Sequence, residues 1–278
     1  MQLFPKLPLA DWIDQIVDVL TENLGPLFDL ITEGIESFVD LFVLALTSIP
    51  ALVLIAIFTG LAWWASRLSI AIFTAVGMLL IHNLGYWDGT IETLALVLTS
   101  VLISIIIGVP IGIWMSQSDR SRDILTPILD FMQTMPAFVY LIPAILFFGI
   151  GVVPGIIASV IFAMPPTIRL TNLGIRQVPE DLIEAANAFG STTKQKLFKV
   201  QLPLATPTIM AGINQSIMLA LSMVVIASLV GAPGLGADVY RAVTQIKVGI
   251  GFESGLVIVI LAIVLDRISQ NIGMKKQK

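Results

Sequence analysis

The 278-residue chain contains no cysteine, which excludes disulfides, thiolate metal sites and cysteine nucleophiles. It holds one histidine, His82, beside Gly85-Tyr86-Trp87-Asp88 near the predicted end of an apolar run. An isolated histidine there reads as structural rather than as a metal ligand. Charge is scarce as well: 12% of the residues are Asp, Glu, Lys or Arg, against about 25% in ordinary soluble domains, and 56% are hydrophobic. Nucleotide-binding motifs are missing. Gly231-Ala232-Pro233-Gly234-Leu235-Gly236 fits neither GxxxxGK[ST] nor GxGxxG, lacks a correctly placed Lys, and reads as a tight turn or re-entrant segment. The residue types of an integral membrane enzyme, clustered His, Cys or paired carboxylates, are likewise wanting. The chain start has neither the basic region nor the uninterrupted apolar stretch of a cleavable signal peptide, so insertion is expected to rely on internal spans.

What the sequence has is apolar length. Seven runs, Leu41–Trp64, Leu68–Leu84, Ile91–Met115, Phe131–Phe148, Val152–Leu170, Ile209–Val230 and Gly249–Leu265, approach the length needed to cross a bilayer core of about 30 Å. They predict an all-α polytopic membrane protein of about seven transmembrane helices. Ala65-Ser66-Arg67 joins the first two runs and demands a tight antiparallel pair. Residues 1–40 hold eight acids and one Lys, the reverse of the bias elsewhere in the chain. Residues 9–40 read as two amphipathic helices broken at Gly25-Pro26: Ile13, Ile16, Val17, Leu20 and Leu24 oppose Asp11, Asp14, Asp18 and Glu22, and Ile31, Ile35, Phe38 and Val39 oppose Asp29, Glu33, Glu36 and Asp40. Such helices belong at the membrane interface, here as a brace or scaffold, although an acidic face does not attract anionic headgroups. The expected division is therefore residues 1–40 as this N-terminal segment and 41–278 as the transmembrane domain.

Basic residues orient the bundle. With Arg67 cytoplasmic, alternation also places Arg120, Arg122, Arg169, Arg176, Lys194, Lys196, Lys199, Arg267, Lys275, Lys276 and Lys278 inside, leaving Lys6, Arg241 and Lys247 outside. The expectation is a multi-pass protein of a bacterial or archaeal cytoplasmic membrane, with its N-terminus outside and its C-terminus inside. The loop of about 176–203 then faces the cytoplasm.

That loop carries the most specific pattern in the chain. Pro179 opens a short helix, Glu180 and Asp181 complement its positive end, and Leu182, Ile183, Ala186 and Phe189 share an apolar face. Gly190 suits a left-handed helix end, Ser191 is expected to cap a second helix bearing Lys194, Lys196 and Lys199, and Pro203 and Pro207 mark return to the membrane. Glu184-Ala185-Ala186, three residues, Gly190, nine residues, then Val200-Gln201-Leu202-Pro203 resembles the cytoplasmic coupling loop of permease subunits in ATP-driven (ABC-type) importers. Four further runs, Leu94–Thr99, Gly108–Ile113, Met132–Tyr140 and Phe162–Arg169, with Ile213–Met223, resemble the glycine betaine permeases of compatible-solute uptake systems.

The resemblance implies a type I ABC importer-like transmembrane domain working as a homodimer. It also implies two ATPase subunits that bind ATP and Mg in place of any cofactor in this chain, and an extracellular binding protein, lipoprotein or periplasmic. Nucleic acid is not an expected partner; membrane lipid is. Ile183, Glu184, Ala185, Ala186, Phe189 and Gly190 are the implied ATPase contacts. Polar residues in apolar spans tend to face a bundle interior or a water-filled path. On that ground Gln133, Thr134, Pro136, Asn214, Gln215, Ser216, Met218 and Met223 are candidate path residues, with Phe138 and Tyr140 as weak cation–π contacts; interhelical hydrogen bonding is an equal alternative for the amides. No carboxylate or base is expected deep in a span, which suits a net-neutral zwitterion. An ion- or proton-coupled secondary transporter of small zwitterions is the alternative, and it would need an intramembrane ionisable residue or broken-helix ion site.

Overall fold

A computed structural model describes residues 7–274, and every element among them is helical. They are α1 (Leu9–Thr47), α2 (Ala51–Ala65), α3 (Leu68–Asn83), α4 (Trp87–Gln117), α5 (Asp119–Thr134), α6 (Leu141–Phe148), α7 (Val152–Arg176), α8 (Glu180–Ala188), α9 (Thr193–Lys196), α10 (Leu202–Ala227), α11 (Leu235–Thr244) and α12 (Val248–Met274). Four helices, α4, α7, the continuous Thr193–Val230 rod containing α9 and α10, and α12, are long and apolar enough to span a membrane. Two bent pairs could add one crossing each, and α3 is a shorter apolar helix. Counting each bent pair as one crossing gives six, and the shorter apolar α3 completes the seven expected apolar runs.

The expected break at Gly25-Pro26 is absent: α1 runs through Pro26 as one helix of 39 residues. A proline deletes one backbone hydrogen bond but does not by itself stop a helix whose downstream residues are packed. Here Phe28 stacks on Phe147 with ring centroids 4.7 Å apart, and Val39 is buried in the main core. The same helix passes through the expected boundary at residues 40 and 41. Lys6, Lys275, Lys276 and Lys278 lie outside the described residues.

The first and fourth apolar runs are broken by proline. Pro50 caps α2, and α1 and α2 meet at 99°. At the second break Met135 is extended, as a residue before proline prefers, and the following segment turns by 105°. Pro136 has no N–H to give Met132, four residues earlier. The Tyr140 hydroxyl takes over, donating to the Met132 carbonyl at 2.6 Å. A short 3-10 turn, Ala137–Tyr140, then leads into α6.

The core is organised around α7, clasped by α4 on one side and α10 on the other. Small residues permit the approach. A Cβ on Gly112 would lie 2.6 Å from Thr171 Cβ and 2.7 Å from the Ile168 carbonyl, while one on Gly212 would lie 3.0 Å from the Pro166 carbonyl. Gly108-x-x-x-Gly112 is thus a packing face. Across the α7–α10 seam, Thr167 and Ser216 share a buried hydrogen bond of 2.8 Å, and Ser216 also donates to the Ala163 carbonyl. At one end of the bundle, Leu235 N–H donates to Thr93 Oγ1 and Gly151 N–H to the Val230 carbonyl. The Gly231–Gly236 turn is folded tightly there, with Gly231 left-handed.

Gly112→Val should force α4 and α7 apart against backbone as well as side chain, costing on the order of 1–3 kcal/mol. Gly34→Ala, where an added Cβ meets nothing within 4 Å, should leave stability unchanged or raise it slightly. Thermal unfolding in detergent compares the two; equal midpoints would refute the close-packing account.

Candidate functional site

The loop between α7 and α10 forms the helix–glycine–helix arrangement its sequence predicts. Pro179 precedes α8, whose first turn carries Glu180 and Asp181. Its far end is closed by two backbone bonds: Gly190 N–H to the Asn187 carbonyl at 2.9 Å and Ser191 N–H to the Ala186 carbonyl at 3.0 Å. This pair requires a left-handed residue between them, and Gly190 supplies it with φ of 73°. The cap of the second helix is Thr192, not Ser191. The Thr192 hydroxyl accepts from Gln195 N–H while the Gln195 side chain accepts from Thr192 N–H, a reciprocal box that the Thr-x-x-Gln spacing encodes.

α9 does not end before the membrane. Residues Leu197–Gln201 form a π-helical segment that carries the chain directly into α10. Pro203 cannot donate to the Lys199 carbonyl; Leu202 N–H instead reaches back five residues to Leu197, which absorbs the fault without a break. Lys196 Nζ donates to Asn187 Oδ1 at 3.1 Å, holding α8 against this rod.

The loop presents an apolar surface. Phe189 is 91% exposed, and Leu182 and Phe198 are also exposed. Glu184, Ala185 and Gly190 are exposed, Ile183 is half-buried, and Ala186 turns inward. No added Cβ at Gly190 would meet an atom of this chain within 4 Å, so the ground above it is open. α8 itself touches little beyond the π-segment.

Beside this loop, Arg176 closes α7. Its guanidinium donates to Asp119 at 2.8 Å, to the Met115 carbonyl at 2.9 Å and to Asn172 at 3.0 Å, tying together the ends of α4, α5 and α7. Arg169 pairs with Asp130 on α5. These pairs are substantially exposed, so each is worth little alone, about 0–1 kcal/mol. The hydrogen bond to Met115 matters more, because it satisfies a carbonyl in the last turn of α4.

The candidate path residues divide. Asn214, Gln215 and Met218 line one cavity of about 490 Å³ between α10 and α12, together with Pro207, Met210, Asp266 and Gln270. Asn214 Oδ1 is buried there without a hydrogen-bond partner. Ser216 and Met223 point the other way and are fully buried: Ser216 in the bond to Thr167, Met223 in a cluster with Tyr140, Leu141, Ala158 and Val230. Tyr140, buried and bonded to Met132, presents no open aromatic face for a cation. Phe138 is 59% exposed and lines a separate apolar cavity with Ile142 and Leu229. Gln133, Thr134 and Pro136 are exposed at the α5 bend and do not join the Asn214 cavity.

Sequence reasoning passed over Asp266 and Gln270. Asp266 sits near the end of α12 with its side chain 20% exposed, bonded by Gln270 Nε2 at 2.6 Å, and Arg169 lies in the last two turns of α7. The missed signal is the i, i+4 pairing of Asp266 with Gln270, which neutral packing in a final apolar run would not call for. At the opposite end of the bundle, burial beside Glu253 and Asp238 pushes the Tyr86 phenol above its ordinary value, so it stays protonated and faces Glu253 at 3.4 Å.

This arrangement, long helices clasping one another and an exposed short helix strung between two of them, belongs to the membrane-embedded permease class. The sequence profile of the binding-protein-dependent transport system inner membrane component matches residues 104–275, and the chain belongs to that family. It is 66% identical over 277 residues to the glycine betaine transport system permease protein OpuAB of Bacillus subtilis, covering 100% of this chain and 98% of that one. It is 48% identical over 267 residues to the glycine betaine/proline betaine transport system permease protein ProW of Escherichia coli, covering 96% of this chain and 75% of that one. Among solved structures, the fold resembles the inward-facing MetNI methionine ABC transporter with a TM-score of 0.64 at 23% identity, over 69% of this chain and 96% of that one.

Thr167→Val should leave Ser216 with one buried partner fewer and destabilise by about 1–3 kcal/mol, whereas Thr167→Val with Ser216→Ala should lose less than the two single changes added. Unfolding midpoints of the three variants test this; strict additivity would show that the two hydroxyls do not act as a pair.

Proposed function

We propose that the chain is the permease subunit of an ATP-driven importer of glycine betaine or a related quaternary-ammonium osmoprotectant. The observation that carries this reading is the end-to-end similarity to a glycine betaine permease, 66% identical over 277 residues, which takes in both the loop and the spans. In this reading two copies form the transmembrane unit, two ATPase subunits supply ATP hydrolysis, and an extracellular binding protein delivers substrate. The loop of α8 and α9 faces the cytoplasm, in line with the distribution of basic residues.

The mechanical logic follows from the packing. α8 is strung between α7 and the α9–α10 rod, and α7 and α10 are tightly packed partners. A push on α8 therefore displaces the two as one body rather than prising them apart. From Lys194 to Asn214 the rod spans about 30 Å at 1.5 Å per residue. Phe189 and Ile183 are the apolar contacts offered to an ATPase groove, Glu184 a charge or hydrogen-bond partner, and Ala185 and Gly190 allow close approach, while Ala186 faces this chain instead. Along the path, Asn214 and Gln215 offer neutral polar groups to a zwitterion. Scaffold duty falls to α1, braced on the core through Phe28 and Val39.

Phe189→Ala should leave folding of the chain intact, since its side chain is 91% exposed, yet abolish most ATPase co-purification and transport; Gly190→Trp should do the same while also straining the left-handed cap of α8. Glu184→Lys should act likewise. Retention of both assembly and uptake in Gly190→Trp would overturn the coupling assignment. Replacing Gln133 and Asn214 by Leu separates the path residues: Asn214→Leu is expected to lower uptake and substrate-stimulated hydrolysis at least several-fold. Uptake by the chain reconstituted without an ATPase would favour the secondary-transporter reading instead.

A further inference from the structure

The hairpin of α2 and α3 lies outside the stretch matched by the family profile and holds none of the candidate coupling or path residues. Between the two helices runs an apolar groove of about 580 Å³, lined by Leu52, Ala56, Gly60 and Trp63 on α2 and by Leu68 and Ala75 on α3, among others. Along α2 it extends from Leu52 to Trp63, about 16 Å at 1.5 Å per residue. That is close to half of the ~30 Å hydrocarbon core, the depth filled by an acyl chain of one leaflet.

One end of the groove is marked. Trp63 and Leu68 flank the turn that holds Arg67, and Trp63 and Trp64 are both largely exposed. Arg67 is the one charged residue in the sequence between Asp40 and Asp88, it is exposed, and it forms no ion pair among the described residues. Exposed tryptophans with a basic side chain beside them mark a membrane–water interface. A lone cation there pairs with a headgroup phosphate and gains more from a net-anionic headgroup than from a zwitterionic one, whose own ammonium offsets that phosphate.

We propose that this groove is a phospholipid site: one acyl chain lies between α2 and α3, and a phosphate-bearing anionic headgroup pairs with Arg67. The open floor at Gly60 is what admits the chain. An added Cβ there meets nothing within 4 Å, so a larger side chain would occupy the groove without disturbing the helices.

Native mass spectrometry of the purified full chain, titrated with palmitoyl-oleoyl phosphatidylglycerol or phosphatidylcholine, reads the site directly. The wild type is expected to retain phosphatidylglycerol in preference. Arg67→Gln should reduce that preference about fivefold, the contribution of one basic residue near an anionic surface, while Arg67→Lys keeps it. Gly60→Leu should lower occupancy by both lipids and, as a better helix former than glycine, should not unfold α2. An unchanged preference in Arg67→Gln, or undiminished lipid in Gly60→Leu, would overturn the proposal. Because the chain has no native cysteine, Gly60→Cys tests the rival occupant: a disulfide-linked dimer in native membranes would assign the groove to a second copy.

Discussion

The whole bundle depends on how closely α7 can lie against α4 and α10. An added Cβ at Gly112 would lie 2.6–2.7 Å from atoms of α7, too close to fit, and one at Gly212 would lie only 3.0 Å away. In a bilayer the hydrophobic effect does not drive helices together, because lipid tails are as apolar as leucine; what remains is van der Waals contact and buried hydrogen bonding. Glycine maximises the first, and the Thr167–Ser216 bond supplies the second at the same seam. The consequence is that α4, α7 and α10 behave as one stiff unit, to which the other elements are attached with varying firmness. Attachments through ion pairs at Asp119, Asp130, Arg169 and Arg176 are exposed and screened, whereas the Tyr140–Met223 cluster is dry and packed.

A stiff unit makes the geometry of α8 consequential. Its helix is short and exposed, so alone it would transmit little. It is informative because both of its flanks belong to the stiff unit: α7 enters it through Arg176, which is bonded to the end of α4, and α10 leaves it through a π-segment that avoids a hinge at Pro203. Had Pro203 produced a kink, displacement of α8 would dissipate at that point. The five-residue backbone step keeps the rod continuous from Thr193 to Val230.

Local grammar was legible in the sequence, and long-range destination was not. Proline, glycine and capping residues act within a few residues of themselves, so the left-handed Gly190 and the opening of α8 follow from spacing alone. The break assigned to Gly25-Pro26 shows the limit: proline removes a hydrogen bond, but whether the helix stops depends on what residues 27–47 pack against, and Phe147 is more than a hundred residues away. Ser191 and Thr192 differ as caps through the reciprocal bonds between Thr192 and Gln195, a distinction the Thr-x-x-Gln spacing contained. The candidate path residues meet the same limit. Polarity in a span says that a residue avoids lipid, not whether it turns toward a cavity, as Asn214 does, or toward a neighbouring helix, as Ser216 does two residues later.

Irregular backbone within an apolar layer is tolerated where its polar groups are satisfied internally. The break at Pro136 meets that condition through Tyr140, whose hydroxyl takes the carbonyl that proline orphans, and it is here that Tyr140 is most needed. A tyrosine so engaged has its phenol directed at backbone and its ring buried with Met223, which removes it from any aromatic cage. Cation–π selection of a quaternary ammonium group therefore has little purchase on this side chain, and Phe138, the exposed aromatic nearby, stands alone in a greasy cavity away from Asn214. Under the proposed path, neutral amides beside one shielded carboxylate would let a zwitterion pass without holding it, which is what a pathway requires and a high-affinity site does not.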